Sequence, residues 1–326
     1  MGVSELRAYL GEDWTRMEAL VQEALSSDID LLREVNARIL AHRGKMLRPA
    51  ISMLVARACG GGRLNEDSLR FAAASEMFHN STLLHDDVVD GSAERRGEPT
   101  LLSTLGATPS VLVGDFWLVK AVSLVLPSRS NSDEVVNLFA KTLSDLAEGE
   151  MLQLEKAGVC DTSQDDYYRI IYSKTASLFE ATAVSAAVSV GAPREWVEAV
   201  REYAVCLGMA FQIKDDLLDY DGRDLGKPTG VDLREHKITL PLLGALLGVE
   251  DERNRMIRQM VCEIDAHPEY VERITEFVHT GGGVAYAEER QDEFVRQAIA
   301  ALDVLPESTD RNWLERVARY VTRREN

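Results

Sequence analysis

Leu83-Leu84-His85-Asp86-Asp87-Val88-Val89-Asp90-Gly91-Ser92-Ala93-Glu94-Arg95-Arg96-Gly97 runs from an apolar helical segment into three carboxylates, a glycine and two arginines. Residues i and i+4 share a helix face, so Asp86 and Asp90 point the same way with Asp87 beside them. Like charges that close repel, and more strongly where water is scarce. A divalent cation removes the conflict. Magnesium takes carboxylate oxygens and completes its shell with water and substrate phosphates. The arginine pair suits bidentate hydrogen bonds to phosphate. Taken alone, the pattern also suits a solvated acidic helix end.

The pattern returns 129 residues later in Gly208-Met209-Ala210-Phe211-Gln212-Ile213-Lys214-Asp215-Asp216-Leu217-Leu218-Asp219-Tyr220. Two such helix ends facing each other would make a carboxylate cage for several cations around one polyanion. With both motifs in view, the chain resembles the trans-type polyprenyl diphosphate synthases, and among them the long-chain, octaprenyl-type members. Further matches run from Gly44 to beyond Pro241, so the resemblance covers most of the chain.

The chain has 326 residues, is 45% hydrophobic and carries 36 − 54 = −18 formal charges. The acidic excess argues against nucleic acid, which needs a basic footprint. It also argues against a phosphate ligand unless metals invert the local field. The four cysteines, at 59, 160, 206 and 262, form no C-x-x-C or Cys/His cluster, so they predict no zinc site and suit a reducing cytosol. Met1-Gly2-Val3-Ser4-Glu5-Leu6 lacks a basic region followed by an apolar core, and no uncharged apolar run reaches about 18 residues. The expectation is a cytoplasmic protein without a transmembrane segment, although a very hydrophobic product would suit a position near a membrane surface.

Nearly every segment has a period of 3.6. Leu6, Leu10, Trp14, Met17, Val21 and Leu25 step along one face, and Leu32, Val35 and Ile39 along the next. A short helix is expected after Pro49, ending at Gly60-Gly61-Gly62. A long one opens at Asn65 or Asp67 and runs to Asp90. Further helices are expected from Pro109, over 132 to about 154, and at roughly 164–189 and 194–220. Three or four shorter ones fill the rest. No alternating strand run and no hairpin signal is visible. The expected architecture is all-α: a single domain over 1–326, with long helices around a central cavity. The resemblance implies the same isoprenoid synthase fold.

The loop Gly44-Lys45-Met46-Leu47-Arg48-Pro49 pairs two cations with a glycine that permits an unusual backbone. It suits a helix C-terminus whose cations balance the dipole. The resemblance implies instead that Gly44, Lys45 and Arg48 bind the diphosphate of isopentenyl diphosphate. His79, two turns before Asp86 on the same face, is implied to help, whereas His85 is read as structural. By the same resemblance Arg95 contacts the allylic diphosphate and Arg96 the isopentenyl diphosphate. Lys174 with Thr175, and Gln212, serve the allylic diphosphate. Lys227 and Lys237 complete the basic set. Two positions depart from the family pattern. Val231 replaces one of two acidic residues, leaving Asp232, and His236 stands where glycine is usual.

The resemblance implies that Asp86, Asp90 and Asp215 hold about three Mg²⁺ on an allylic diphosphate, as Lewis acids on the leaving group. Asp87, Asp216 and Asp219 serve as further ligands or support them. Lys174, Lys227 and Arg95 add positive charge where negative charge develops. The allylic cation is attacked by the double bond of isopentenyl diphosphate, and the departing diphosphate takes the proton. A class I terpene cyclase leaves Lys45, Arg48 and Arg96 without a role. A silent partner subunit does not need both motifs intact. A calcium-binding helical protein lacks its EF-hand loop. The resemblance also implies a homodimer.

Product length is read from the helix above Asp86. Ser81 and Thr82 lie about one turn, roughly 6–8 Å, from Asp86. In short-chain relatives aromatic residues close the tunnel there. The small residues here, with Ala74 deeper, leave it open. Phe78, about 12 Å down, is a candidate lower stop, which implies a product of about C35 to C50 for a quinone side chain. The alternative is a short-chain farnesyl or geranylgeranyl diphosphate synthase, with a floor from Phe116 or Trp117.

Overall fold

The computed structural model describes residues 2–42, 44–95, 97–130, 132–221 and 230–323. They form sixteen α-helices and one two-stranded ladder. They divide into two compact units. Unit 1 comprises Met1–Phe139, Ala181–Val200 and Val304–Leu314; unit 2 comprises Ala140–Glu180, Arg201–Asp303 and Glu315–Asn326.

Unit 1 is built on α4 (Glu66–Val89). Asn65 caps it, accepting from Ser68 N at 2.8 Å, with Glu66 and Asp67 favourably placed against the first-turn dipole. Its middle is buried all round: Phe71, Ala72, Ala73, Ala74, Met77 and Phe78 are buried, with Ser75 and Glu76 among them. It packs against α1 (Val3–Ala24), α3 (Leu47–Cys59) and α6 (Ala107–Val125). The α4–α6 approach is close because position 114 is glycine. A Cβ there would lie 2.4 Å from His85 Nε2. α1 breaks its helical geometry at Gly11, and α2 spans Asp30–Ala41. α6 is long and apolar enough to cross a membrane by length and composition. Its Trp117, Ala121 and Val125 are nevertheless buried, and Trp117 Nε1 donates to Asn36 Oδ1 at 2.9 Å.

One expectation fails here. Residues after the first motif form a minimal hairpin, β1 (Glu94–Arg95) against β2 (Glu98–Pro99), followed by α5 (Leu101–Leu105). Four paired residues are too few to alternate visibly. Gly97, at φ +78°, is the local mark of the turn.

Unit 2 contains the remainder of α7 (Ser132–Val159), then α8 (Gln164–Ile171), the start of α9 (Ser177–Ser189) and the end of α10 (Arg194–Asp219). A wide π-type turn, Tyr172–Ala176, interrupts what the periodicity predicts as one helix over 164–189. α11 (Val231–Arg234), α12 (Leu240–Leu246), α13 (Asp251–Cys262), α14 (Tyr270–Thr280) and α15 (Gly283–Ala301) follow, before α16 (Thr309–Arg323). The core joins Ile171, Ile213, Leu217, Leu240, Val261 and Ile274. The reading of the cysteines as suited to a reducing cytosol meets a disulfide. Cys160 and Cys262, 102 residues apart, form a disulfide with a Cα–Cα distance of 5.8 Å. Cys59 and Cys206 are free and buried.

Candidate active site

Both aspartate motifs sit at helix C-termini. Asp90 is the C-cap of α4, and Asp219 is the last residue of α10. Carbonyl dipoles already make such an end negative, so three carboxylates there call for positive charge. In each motif the middle aspartate is buried, and its flanking partners are more open.

In unit 1, Asp87 Oδ1 accepts from Arg95 Nε at 2.7 Å. The hairpin delivers Arg95. Its base is tied by Thr100, whose N donates to Ala93 O at 3.0 Å and whose Oγ1 donates to Ser92 O at 2.7 Å. Burial nonetheless holds the Asp87 carboxyl above its ordinary range, outweighing Arg95. Asp86 is half-buried and Asp90 exposed. A cavity of about 340 Å³ opens beside this pair, between Arg38 of α2, His42 just after it, and Asn80, Leu84 and Asp87 of α4. His79 is half-buried two turns before Asp86 on α4.

The Gly44–Pro49 segment differs from its dipole-balancing reading. α3 starts at Leu47, so Arg48 lies in a helix first turn, where a cation opposes the dipole, and it is only 9% exposed. Charge placed this way fits an anionic partner better than a self-contained cap. The unusual backbone belongs to Met46, at φ +51°, and not to Gly44. Gly44 contributes its carbonyl, which accepts from Arg7 Nη2 at 3.3 Å.

In unit 2, Asp216 is held on both oxygens. Tyr167 OH donates to Oδ2 at 2.6 Å and Gln212 Nε2 to Oδ1 at 2.9 Å. Thr175 Oγ1 in turn donates to Gln212 Oε1 at 2.7 Å. Thr175 and Lys174 lie in the π-type turn, a feature frequent at functional sites. Lys174 Nζ reaches Glu150 Oε1 at 2.5 Å and Gln153 Oε1 at 3.0 Å. Asp219 receives the start of α11, with Val231 N on Oδ1 and Asp232 N on Oδ2, both at 3.0 Å. Val231 therefore serves through its backbone, which any side chain permits. His236 adopts φ +57°, the conformation in which a glycine is easiest, and its Nδ1 donates to Val261 O at 2.8 Å. Lys237 pairs with Glu235. Burial is the main cause that pushes Asp216 up to about 6, raises Asp219, and raises Asp232 far more. A cavity of about 130 Å³ is lined by Tyr167, Lys174, Gln212, Asp216, Asp232 and Lys237.

Arg96 and Lys227 lie outside the described residues. Among the described residues no three His, Cys, Asp or Glu side chains form a ready metal cage. The donors are nevertheless all carboxylate oxygens at negative helix ends. That chemistry fits a hard cation that keeps water and phosphate in its shell. Tyr167 was not singled out by sequence reasoning. Its only signal is indirect, because a buried aspartate requires donors.

The chain-length candidates are placed as follows. Ser81 is fully buried, and its hydroxyl donates to Gly114 O of α6 at 2.8 Å. Thr82 Oγ1 donates to His79 O at 2.9 Å. Phe78 stacks on Phe139 with ring centroids 4.8 Å apart. None of the three lines either cavity above.

The polyprenyl synthetase family model matches residues 29–278. The chain belongs to the polyprenyl synthetase family. It is 37% identical over 327 residues to octaprenyl diphosphate synthase of Escherichia coli, covering 100% of both chains. It is 37% identical over 319 residues to an all-trans-nonaprenyl-diphosphate synthase (geranyl-diphosphate specific) of Rhodobacter capsulatus, covering 97% of this chain and 96% of that one. A polyprenyl synthase of Caulobacter crescentus, solved as a complex with calcium and isoprenyl diphosphate, superposes with a TM-score of 0.90 at 34% identity, covering 100% of this chain and 98% of that one. The family's all-α isoprenoid synthase fold is thereby established for this chain. So is its class as a prenyltransferase.

Proposed function

We propose that this member of the family elongates an allylic diphosphate with isopentenyl diphosphate to a long-chain all-trans polyprenyl diphosphate that supplies a quinone side chain. Full-length similarity to octaprenyl and nonaprenyl synthases supports the long product. The observation that carries the reading is the pair of aspartate-ended helices, each with a buried middle carboxylate held by side-chain donors. The family match runs unbroken across both units, and the unit boundaries fall inside helices, not in linkers. Both features support one catalytic domain that carries both motifs.

The family's use of divalent metal, with calcium beside isoprenyl diphosphate in the Caulobacter enzyme, supports Mg²⁺ as the physiological ion. Bound Mg²⁺ supplies charge stabilisation of the departing diphosphate. The chain's residues do the rest. Asp86, Asp90, Asp215 and Asp219 offer the carboxylates. Lys174, Lys227 and Arg95 place positive charge where negative charge develops. Lys45, Arg48, His79 and Arg96 hold the acceptor diphosphate, and Lys237 and Gln212 border the allylic one. A homodimer is supported by the apolar face formed by Leu112 and Val119 of α6 and Leu126 just after it, all more than half exposed.

Incubation of purified protein with isopentenyl diphosphate and an allylic primer, with Mg²⁺ or with EDTA, tests the reading. Long-chain product formed only with Mg²⁺ is expected. No elongated product would refute it, and a cyclised product would favour the cyclase.

A further inference from the structure

We propose that Tyr167 is a positioning residue of the second aspartate motif: its buried hydroxyl fixes the Asp216 carboxylate in the orientation that lets the motif take up cations. The inference rests on the metal-dependent reading above and adds a residue to it. Tyr167 is 3% exposed and lies in the core of unit 2. Its hydroxyl donates to Asp216 Oδ2 at 2.6 Å. Gln212 holds the other oxygen, so both ends of the carboxylate are pinned and the group cannot swing.

The surroundings explain why pinning matters. Asp216 shares its pocket with Asp232, and Asp219 lies one helical turn further on. Three carboxylates gathered this closely repel one another. Without Tyr167, Gln212 holds one oxygen alone, and repulsion from Asp219 and Asp232 turns the other away from its place in the motif. A phenol suits this task. It carries no charge that would compete with an incoming cation, and its aromatic ring anchors it in the apolar core. The anchor itself is well founded. α8 begins at a capping box in which Ser163 and Asp166 bond reciprocally, and Lys156 Nζ holds Asp166 Oδ2 at 3.2 Å. Partners that orient metal ligands typically contribute 10–100-fold to metal affinity or activity.

The test uses Tyr167→Phe, which keeps the ring, and Ser163→Ala, which weakens α8 without touching the hydroxyl. Mn²⁺ is titrated against full-length protein in the presence of inorganic pyrophosphate, and free Mn²⁺ is read by electron paramagnetic resonance. Activity is measured in parallel against Mg²⁺. Tyr167→Phe is expected to weaken Mn²⁺ binding about tenfold or more and to raise the Mg²⁺ midpoint equally. Saturating Mg²⁺ restores most of kcat, and the KM for isopentenyl diphosphate does not move. Ser163→Ala is expected to lower Tm with Mn²⁺ binding unchanged. Wild-type Mn²⁺ affinity in Tyr167→Phe overturns the proposal while leaving the metal-dependent reading intact. Equal weakening in Ser163→Ala also overturns it, because the effect then comes from α8 docking. Absence of Mn²⁺ binding in the wild type removes the metal-dependent reading and this proposal together.

Discussion

Asp87 and Asp216 are the middle carboxylates of two identical motifs, yet a guanidinium meets one, and a phenol and an amide meet the other. The first motif brings a counter-charge in its own hairpin, and its third member, Asp90, faces solvent. The second has neutral donors at Asp216, backbone N–H groups at Asp219, and a further half-buried carboxylate, Asp232, beside them. The same D-D-x-x-D pattern thus produces one motif offset by a guanidinium and one in which burial and carboxylate neighbours oppose ionisation. The lesson is that a motif states which ligands are available, and its surroundings decide how strongly it needs the ion.

The largest expected effect tests whether both motifs are required. Asp86→Ala and Asp215→Ala are each expected to lower turnover by about 10²-fold or more, the scale of losing one charge-stabilising group. Folding should survive, because each change also relieves repulsion at a helix end. Steady-state kinetics at saturating Mg²⁺ measures this, and near-normal turnover in either variant breaks the pairing of the motifs.

Substrate assignment sharpens the comparison next. Lys45→Ala or Arg48→Ala in unit 1 is expected to raise the KM of isopentenyl diphosphate about tenfold or more, from losing a charge-assisted hydrogen bond of about 1.5–3 kcal/mol. Lys174→Ala in unit 2 is expected to act on the allylic primer instead. Equal shifts for both substrates in all three variants contradict the assignment.

A smaller effect concerns α4. Ser81→Phe is expected to shorten the product. Because Ser81 packs on Gly114, it should also destabilise the fold by about 1–3 kcal/mol through overpacking. Product chromatography and thermal melts read the two consequences separately. An unchanged product distribution removes Ser81 from the tunnel.

Much of this site was legible in sequence because its signals are local. Asn65 predicts the start of α4, and the two aspartate runs mark the ends of α4 and α10. The hidden features depend on distant partners or backbone geometry. Tyr167 meets Asp216 across 49 residues, and Cys160 meets Cys262 across 102, so no periodicity carries either. The π-type turn at Lys174 leaves the apolar pattern of its flanks intact, so the segment reads as one helix. Met46 takes the left-handed conformation that glycine usually marks, which pointed the reading to Gly44 instead.

The charge difference between the motifs is tested most directly by thermal unfolding of EDTA-treated wild type, Asp87→Asn and Asp216→Asn across pH. Burial raises the Asp216 pKa to about 6, so the native state binds this proton more tightly than the unfolded chain. Stability then rises as pH falls through 6 towards the unfolded value, by about 1 kcal/mol between pH 7.5 and 5 from this group. Asp216→Asn is expected to be more stable than wild type at pH 7.5 and to lose the share of the acid-side gain that this carboxylate carries, while Asp219 and Asp232 keep theirs. Asp87→Asn, whose parent carboxylate is raised less because Arg95 offsets part of its burial, should lose less of the acid-side gain than Asp216→Asn. Parallel profiles for wild type and Asp216→Asn, or a larger change in Asp87→Asn, would contradict the account.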